Sequence, residues 1–291
     1  MSSATRTSRK PSVRSGSEPL VGRYAIDTGV ADLTREPGPP AHWLVQVNGV
    51  PSSAICPTDP SWLGFEYQQV MAAVLEVARP GEALRVVHVG AAACALPWAL
   101  HLSHPGSRQL AVDLDARLLE LARQWFDLPR APHLRLRAGE GRAVLATRPA
   151  ASTDVVIRDA FDGAITPVAL RTTGMCAEVE RILAPGGLYL ANIADRPPLA
   201  LVKDEILTAA TVFTHVAVIA ETQVLRGRRY GNLILVAGHE PVDVTGLVPA
   251  LSRTGLALRV VHRDQLADLA RGGRPLFDES ATVPAHVLDD C

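Results

Sequence analysis

The chain has 291 residues, 47% of them apolar and 20% charged, enough for one large domain or two modest ones at about 100–200 residues each. A formal net charge of −1 excludes whole-protein electrostatic attraction to nucleic acid or to a membrane surface. Aromatic residues make up only 4%, which argues against a stacking platform for single-stranded nucleic acid. No apolar run approaches the 18 or so residues of a membrane span, so no membrane partner is expected. The start carries Arg6, Arg9, Lys10 and Arg14 without the apolar stretch of a signal peptide. Cys56, Cys94, Cys176 and Cys291 are far apart and form no CxxC pair, which suits free thiols in a reducing compartment. A cytoplasmic protein without a metal site is the expectation.

Residues 1–20 are polar and Ser-rich, too poor in apolar side chains to offset the entropy of ordering, and read as a disordered basic tail. Residues 42–80 read as a small β piece and a helix. Trp43–Val47 alternates like a strand, and Asn48-Gly49 is a hairpin signal before Val50–Ile55. Asp59-Pro60 offers an N-cap and a first-turn proline, and Leu63, Tyr67, Val70, Val74 and Val77 follow at helical spacing up to Pro80-Gly81.

Residues 81–240 then alternate strand and helix. Strands are expected at Leu84–Gly90, Gln109–Asp113, His133–Arg137, Asp154–Asp159 and Leu188–Ile193. Helices are expected near 94–104, 115–126, 141–147, 168–183 and 198–210. Val212–Ala220 and Asn232–Ala237 are two more strands, joined by a polar turn too short for a helix, so one of them should run antiparallel. The pattern specifies a doubly wound, Rossmann-like α/β sheet of seven strands. Residues 241–291 read as a C-terminal extension with helices around 247–255 and 264–270.

In such a sheet ligands bind beyond the carboxyl ends of the strands, near the point where strand order reverses. The residues there are the candidates. Gly90-Ala91-Ala92-Ala93-Cys94 after the first strand is a run of small residues that lets backbone amides approach a ligand, or packs strand on helix. Asp113 ends the second strand, where a carboxylate commonly bonds ribose hydroxyls, with Leu114 beside it; Asp115 is better placed to cap the next helix. Glu140-Gly141 after the third strand is either a contact for adenine or a helix cap. Asp159 and Asp162, three residues apart after the fourth strand, could converge on an amine and take its proton, or belong to a turn. A second carboxylate nearby would raise the pKa of one of them.

The order of these signals, with Pro185-Gly186-Gly187 before the fifth strand, resembles class I S-adenosylmethionine-dependent methyltransferases. Val156-Ile-Arg-Asp159-Ala-Phe-Asp162 narrows the likeness to the spermidine synthase (polyamine aminopropyltransferase) family, which carries an Asp-x-x-Asp loop here. Val112-Asp113-Leu114-Asp115, the helix after it and the preceding β piece resemble that family too. The resemblance implies transfer of an aminopropyl group from decarboxylated S-adenosylmethionine to a small-molecule amine acceptor, releasing 5′-methylthioadenosine without a metal. It implies Asp159 as base, Asp162 as holder of the amine, Asp113 on ribose and Glu140 on adenine. It also suggests a homodimer. Glu66 and Tyr67 fall in the region of the family's Tyr-His-Glu signature and are candidate substrate residues. Where the family's first loop carries an acid for the aminopropyl ammonium, this chain has Ala93. Intact S-adenosylmethionine as donor, in a methyltransferase, is the alternative, and a non-catalytic nucleoside-binding member of the fold is a third reading. Arg226, Arg228 and Arg229 form a basic turn, most often a solvated hairpin tip and less often an anion or partner contact.

Overall fold

The computed structural model describes residues 19–241 and 243–279. The basic tail expected at 1–20 therefore lies, but for its last two residues, outside the described residues. Two sheets organise the chain. The first has four antiparallel strands in sequence order: β1 (Gly22–Ile26), β2 (Gly29–Glu36), β3 (His42–Val47) and β4 (Val50–Ile55). Asn48-Gly49 does turn β3 into β4, but the sheet reaches back to Gly22, well before Trp43. The first hairpin was illegible because it buries only Ile26, Ala31 and Leu33, with Asp32 between the last two.

Helix α1 (Glu66–Ala78) begins at Glu66, not at Pro60. The Asp59 carbonyl accepts from the Trp62 N–H at 3.0 Å, closing a turn that does not propagate. The main domain then runs β5 (Arg85–Val89), α2 (Ala95–Ser103), β6 (Arg108–Asp113), α3 (Ala116–Trp125), β7 (Leu134–Ala138), α4 (Gly141–Ala146) and β8 (Thr153–Arg158). A 3-10 turn at Val168–Leu170 precedes α5 (Thr173–Ile182), β9 (Leu183–Asp195), α6 (Ala200–Ala210), β10 (His215–Glu221), α7 (Thr222–Leu225) and β11 (Gly231–Gly238). Last come α8 (Val244–Ser252), β12 (Leu258–His262) and α9 (Asp264–Leu269).

The large sheet has the order β12-β10-β11-β9-β8-β5-β6-β7. The five strands β7, β6, β5, β8 and β9 are parallel, and β11 runs antiparallel between β9 and β10. This is the doubly wound sheet expected, with an eighth strand added at the edge. That strand, β12, buries only Val261 and carries Arg259 and His262, so its periodicity was faint. Strands β5 and β8 are buried on both faces, as parallel strands between helical layers must be. One core lies under α4, α5 and α6, and a second under α1, α2 and α8. A third joins Ile26, Leu33, Trp43 and Val45 of the small sheet to Trp98, Leu118 and Trp125 of α2 and α3.

Asp115 fastens the two sheets together. Its Oδ1 accepts from the Leu118 N–H at 2.7 Å, capping α3 as expected. Its Oδ2 accepts from the Thr28 N–H at 2.7 Å and hydroxyl at 2.8 Å in the first hairpin turn. Beyond α9 the chain straps the helices: Leu276 N–H donates to the Thr208 hydroxyl at 2.9 Å, and Arg142 pairs with Asp278 at 2.8 Å. Among the described residues, no helix is long and apolar enough to cross a membrane. Cys56, Cys94 and Cys176 are free and buried; Cys291 lies outside the described residues.

Beneath the carboxyl edge lies a buried ion triad. Glu205 of α6 meets Arg158 at 2.7 Å and Arg171 at 2.9 Å, and the Arg158 side chain is wholly buried. Arg158 also donates to the Leu170 carbonyl at 3.1 Å and the Asn192 carbonyl at 3.0 Å, closing the loop after β8 onto β9. Removing the one anion leaves two buried guanidinium groups uncompensated. Glu205→Ala is expected to cost about 3–5 kcal/mol. Urea denaturation measures it, and a loss under about 1 kcal/mol, the level of a surface pair, would show that the triad does not hold this edge.

Candidate active site

Strand order reverses between β5 and β8, and the loops that follow them meet. Gly90 is where they touch. Its φ is +90°, and a Cβ there would lie 2.1 Å from the Asp159 carbonyl oxygen, so only glycine lets the two backbones pass. The Asp159 N–H in turn donates to the Val89 carbonyl at 2.8 Å.

The small-residue loop curls back on itself. Ala92 (φ 42°) and Cys94 (φ 66°) occupy the left-handed region, at a cost of roughly 1–2 kcal/mol each. The consequence is that the Ala91 and Ala92 amides point together at Asp113, whose Oδ2 accepts from both at 3.0 Å. Asp113 Oδ1 accepts from the Asp115 N–H at 3.1 Å. Successive amides in this conformation make an anion-binding concavity, and here it holds the chain's own carboxylate. Ala93 is fully buried and donates its N–H to the Ser53 hydroxyl at 3.1 Å, so the small sheet braces the loop from outside. Burial raises the Cys94 thiol to about 12, Asp113 adding to the effect; it is a packed thiol, not a nucleophile.

Asp159 is the focus of the edge. Tyr67 of α1 donates its hydroxyl to Asp159 Oδ2 at 2.8 Å, and Asn192 of β9 donates its side-chain N–H to Oδ1 at 2.9 Å. Burial raises the Asp159 pKa above the ordinary carboxylate range, although both hydrogen bonds and the Arg158 cation pull the other way. Burial and the adjacent carboxylate push the Tyr67 phenol well above its usual value, so it remains a neutral donor. A raised carboxyl held by neutral donors is suited to receive a proton.

The remaining candidates are more dispersed. Asp162 is exposed; its backbone pairs with Ile165 across a short bridge, and its carboxylate has no partner among the described residues. The cause of the Asp159 shift is therefore burial, not a second carboxylate, which corrects the expectation from the paired acids. Glu140 caps α4, accepting from the Arg142 N–H at 2.9 Å and the Ala143 N–H at 2.6 Å. Gly141 is buried where a Cβ would meet Val89 at 2.5 Å. Leu114, 63% exposed, and Ile165, 60% exposed, are large apolar side chains on the loops after β6 and β8. Glu66 is exposed at the start of α1 and lies near Arg229. Sequence reasoning passed over Asn192, which sits inside an apolar strand; a lone amide among Leu190, Ala191 and Ile193 was the signal available. No group of three or more His, Cys, Asp or Glu residues is placed to hold a metal among the described residues.

No protein-family model matches the chain. A solved structure of a probable spermidine synthase from Corynebacterium glutamicum ATCC 13032 does, with a TM-score of 0.84 and 36% identity, covering 91% of this chain and 99% of that one. The chain belongs to the spermidine synthase-like family. Its fold is that of the class I S-adenosylmethionine-dependent transferases. A polyamine aminopropyltransferase of Vibrio vulnificus (strain CMCP6) is 26% identical over 110 residues, 37% of each chain. The eEF1A lysine and N-terminal methyltransferase of Homo sapiens is 28% identical over 165 residues, 51% of this chain and 23% of that protein. The match thus spans well under half the length of either curated relative.

Two measurements check this geometry. Tyr67→Phe and Asn192→Ala each remove a bond that favours the ionised carboxylate, so the Asp159 titration, followed by carboxyl carbon NMR, moves to higher pH. A shift to lower pH would mean that these donors do not serve the charged form. The raised pKa also means that folding favours protonated Asp159: its contribution is full below the unfolded carboxyl value and is lost as pH rises through the folded one. Asp159→Asn therefore raises the thermal midpoint at neutral pH, and an unchanged or lower midpoint contradicts the burial argument.

Proposed function

We propose that this family member transfers an alkyl group, aminopropyl by preference, from an adenosyl sulfonium to a nitrogen nucleophile, with Asp159 as the base. The observation that carries the reading is the half-buried Asp159 carboxyl with its raised pKa, held by Tyr67 and Asn192 beside Gly90 at the switch point. The Vibrio aminopropyltransferase relative supports the same class of chemistry.

The donor is decarboxylated S-adenosylmethionine. Its adenosine lies across the carboxyl ends of β5 and β6, with Gly90 and Ala91 under it and Leu114 against the base. Asp113 meets the ribose through the acceptor site left free on Oδ1, since a carboxylate offers about four and three are used here. Glu140 and Gly141 border the adenine end. The acceptor amine arrives neutral between Tyr67 and Asp162, with Glu66 at the mouth. Its nitrogen lone pair forms the new N–C bond as the C–S bond breaks, and that electron pair stays on sulfur, which leaves as the neutral thioether 5′-methylthioadenosine. The proton shed by the alkylated nitrogen passes to Asp159. Orientation and a proton acceptor suffice for this displacement.

Ala93 favours a second reading. The first loop holds no carboxylate for the free ammonium of a decarboxylated donor, whereas intact S-adenosylmethionine brings its own, and methyl transfer would then be the reaction.

Calorimetric titration with decarboxylated S-adenosylmethionine, S-adenosylmethionine and 5′-methylthioadenosine decides between them. Tighter binding of the decarboxylated form is expected; tighter binding of the intact form moves the assignment to methyl transfer, and no heat from any of the three overturns both. Asp159→Asn is expected to lower turnover by about 10²–10⁴-fold while keeping nucleoside affinity. Turnover within a few-fold of the parent chain would remove Asp159 from the role of base.

A further inference from the structure

The turn between β10 and β11 stands at the same edge as Asp159. Strand β11 is antiparallel to β9, and Gly231 pairs with Asp195. The chain just before Gly231 therefore lies beside the chain just after Asp195, at the carboxyl end of the parallel strands. Before Gly231 comes Arg226-Gly227-Arg228-Arg229; after Asp195 comes Arg196. A Cβ built on Gly227 would lie 3.9 Å from Pro197, so the two basic segments are packed against one another. All four arginines are exposed.

Their charge is mostly unanswered. Arg229 pairs with Glu221 and feels Glu66 of α1. Among the described residues Arg228 reaches only the neutral Gln223, at 3.5 Å. Arg196 and Arg226 have no carboxylate partner among the described residues. Asp195, the nearest acid in sequence, is buried and accepts from the Arg196 and Val202 N–H groups at 2.7 and 3.0 Å. The rim thus carries an excess of cationic forks suited to carboxylate or phosphate oxygens.

Its place relative to Asp159 is fixed by register. Asn192, which bonds Asp159, pairs with Ile234, three residues from the Gly231–Asp195 pair. At about 3.3 Å per residue the rim begins roughly 10 Å from Asn192 along the strand. On the other side, Arg229 lies near Glu66, whose neighbour Tyr67 donates to Asp159.

We propose that Arg196, Arg226 and Arg228 form an anion subsite for the acceptor. The acceptor then has a nucleophilic nitrogen at one end and a carboxylate or phosphate roughly 10 Å away, instead of a second ammonium. Facing this rim, a dication would meet like charge, and a molecule with an anionic end would be drawn in and aligned. The proposal rests on Asp159 as the base in the site described above, and it deepens that reading by naming the acceptor class.

The test is binding of 8-aminooctanoate, 8-aminooctyl phosphate and 1,8-diaminooctane to the full chain saturated with 5′-methylthioadenosine, followed by calorimetry. The parent chain is expected to bind either anionic amine at least tenfold more tightly than the diamine. Arg196→Glu/Arg226→Glu should reverse that order, and Arg196→Lys/Arg226→Lys should restore most of it, which separates charge from folding. The phosphate and carboxylate arms show which anion the forks prefer. Preference of the parent chain for the diamine, or an unchanged order in the Glu variant, overturns the proposal. It also fails if the Glu variant loses S-adenosylmethionine affinity alone, because the rim then serves the donor. If 5′-methylthioadenosine itself does not bind, the transferase reading falls; the same titrations on the unliganded chain then still decide the anion subsite.

Discussion

The contact of Gly90 with the Asp159 carbonyl is the constraint from which the site follows. Two parallel strands that diverge into helices on opposite sides leave a crevice, and their loops must cross without a side chain between them. A glycine at φ +90° allows it, and the main-chain bond from Asp159 back to Val89 locks the crossing. Asp159, the first residue beyond β8, is thereby fixed in place, with its carboxyl turned toward α1 and the first-strand loop beside it.

Charge at the edge is layered. Successive side chains of a strand face opposite ways, so Arg158 goes down to Glu205 and Arg171 while Asp159 goes up to Tyr67 and Asn192. The lower layer ties β8, β9, α6 and the loop after β8 through one anion shared by two cations. The upper layer surrounds the carboxyl with neutral donors and leaves it above its ordinary pKa. Asn192 links the two, since its carbonyl accepts from Arg158 and its amide donates to Asp159. The Arg158 cation still acts on Asp159, pulling its pKa down against the larger effect of burial.

The first-strand loop and the basic rim tell a consistent story about charge. The loop has no carboxylate of its own at Ala93, and its amide concavity is filled by Asp113. Across the crevice the arginines before Gly231 and after Asp195 outnumber their acidic partners. The small sheet contributes in a different way, bracing this loop through Ser53 and capping α3 jointly through Asp115 and Thr28.

Sequence alone determined the alternation of strands and helices, an antiparallel member among the last strands, the hairpin at Asn48-Gly49, and the edge on which Asp113, Glu140 and Asp159 stand. These follow from local periodicity and turn chemistry, which are written residue by residue. Tertiary structure decided what no local window holds. It paired the charged hairpin of β1 and β2 onto α2 and α3, where only Ile26, Ala31 and Leu33 of the hairpin are buried. It started α1 at Glu66 by closing a turn at Asp59, and it placed Asn192 on Asp159 across strands 33 residues apart in sequence. It raised the Asp159 pKa by burial and left Asp162 in solvent, although the two acids looked equivalent as a pair. Finally, it brought Arg196 beside Arg226 and Arg228, because antiparallel pairing joins the end of one strand to the start of another. Strand pairing and burial are properties of distant residues meeting, so a linear reading sees the groups but not their neighbours.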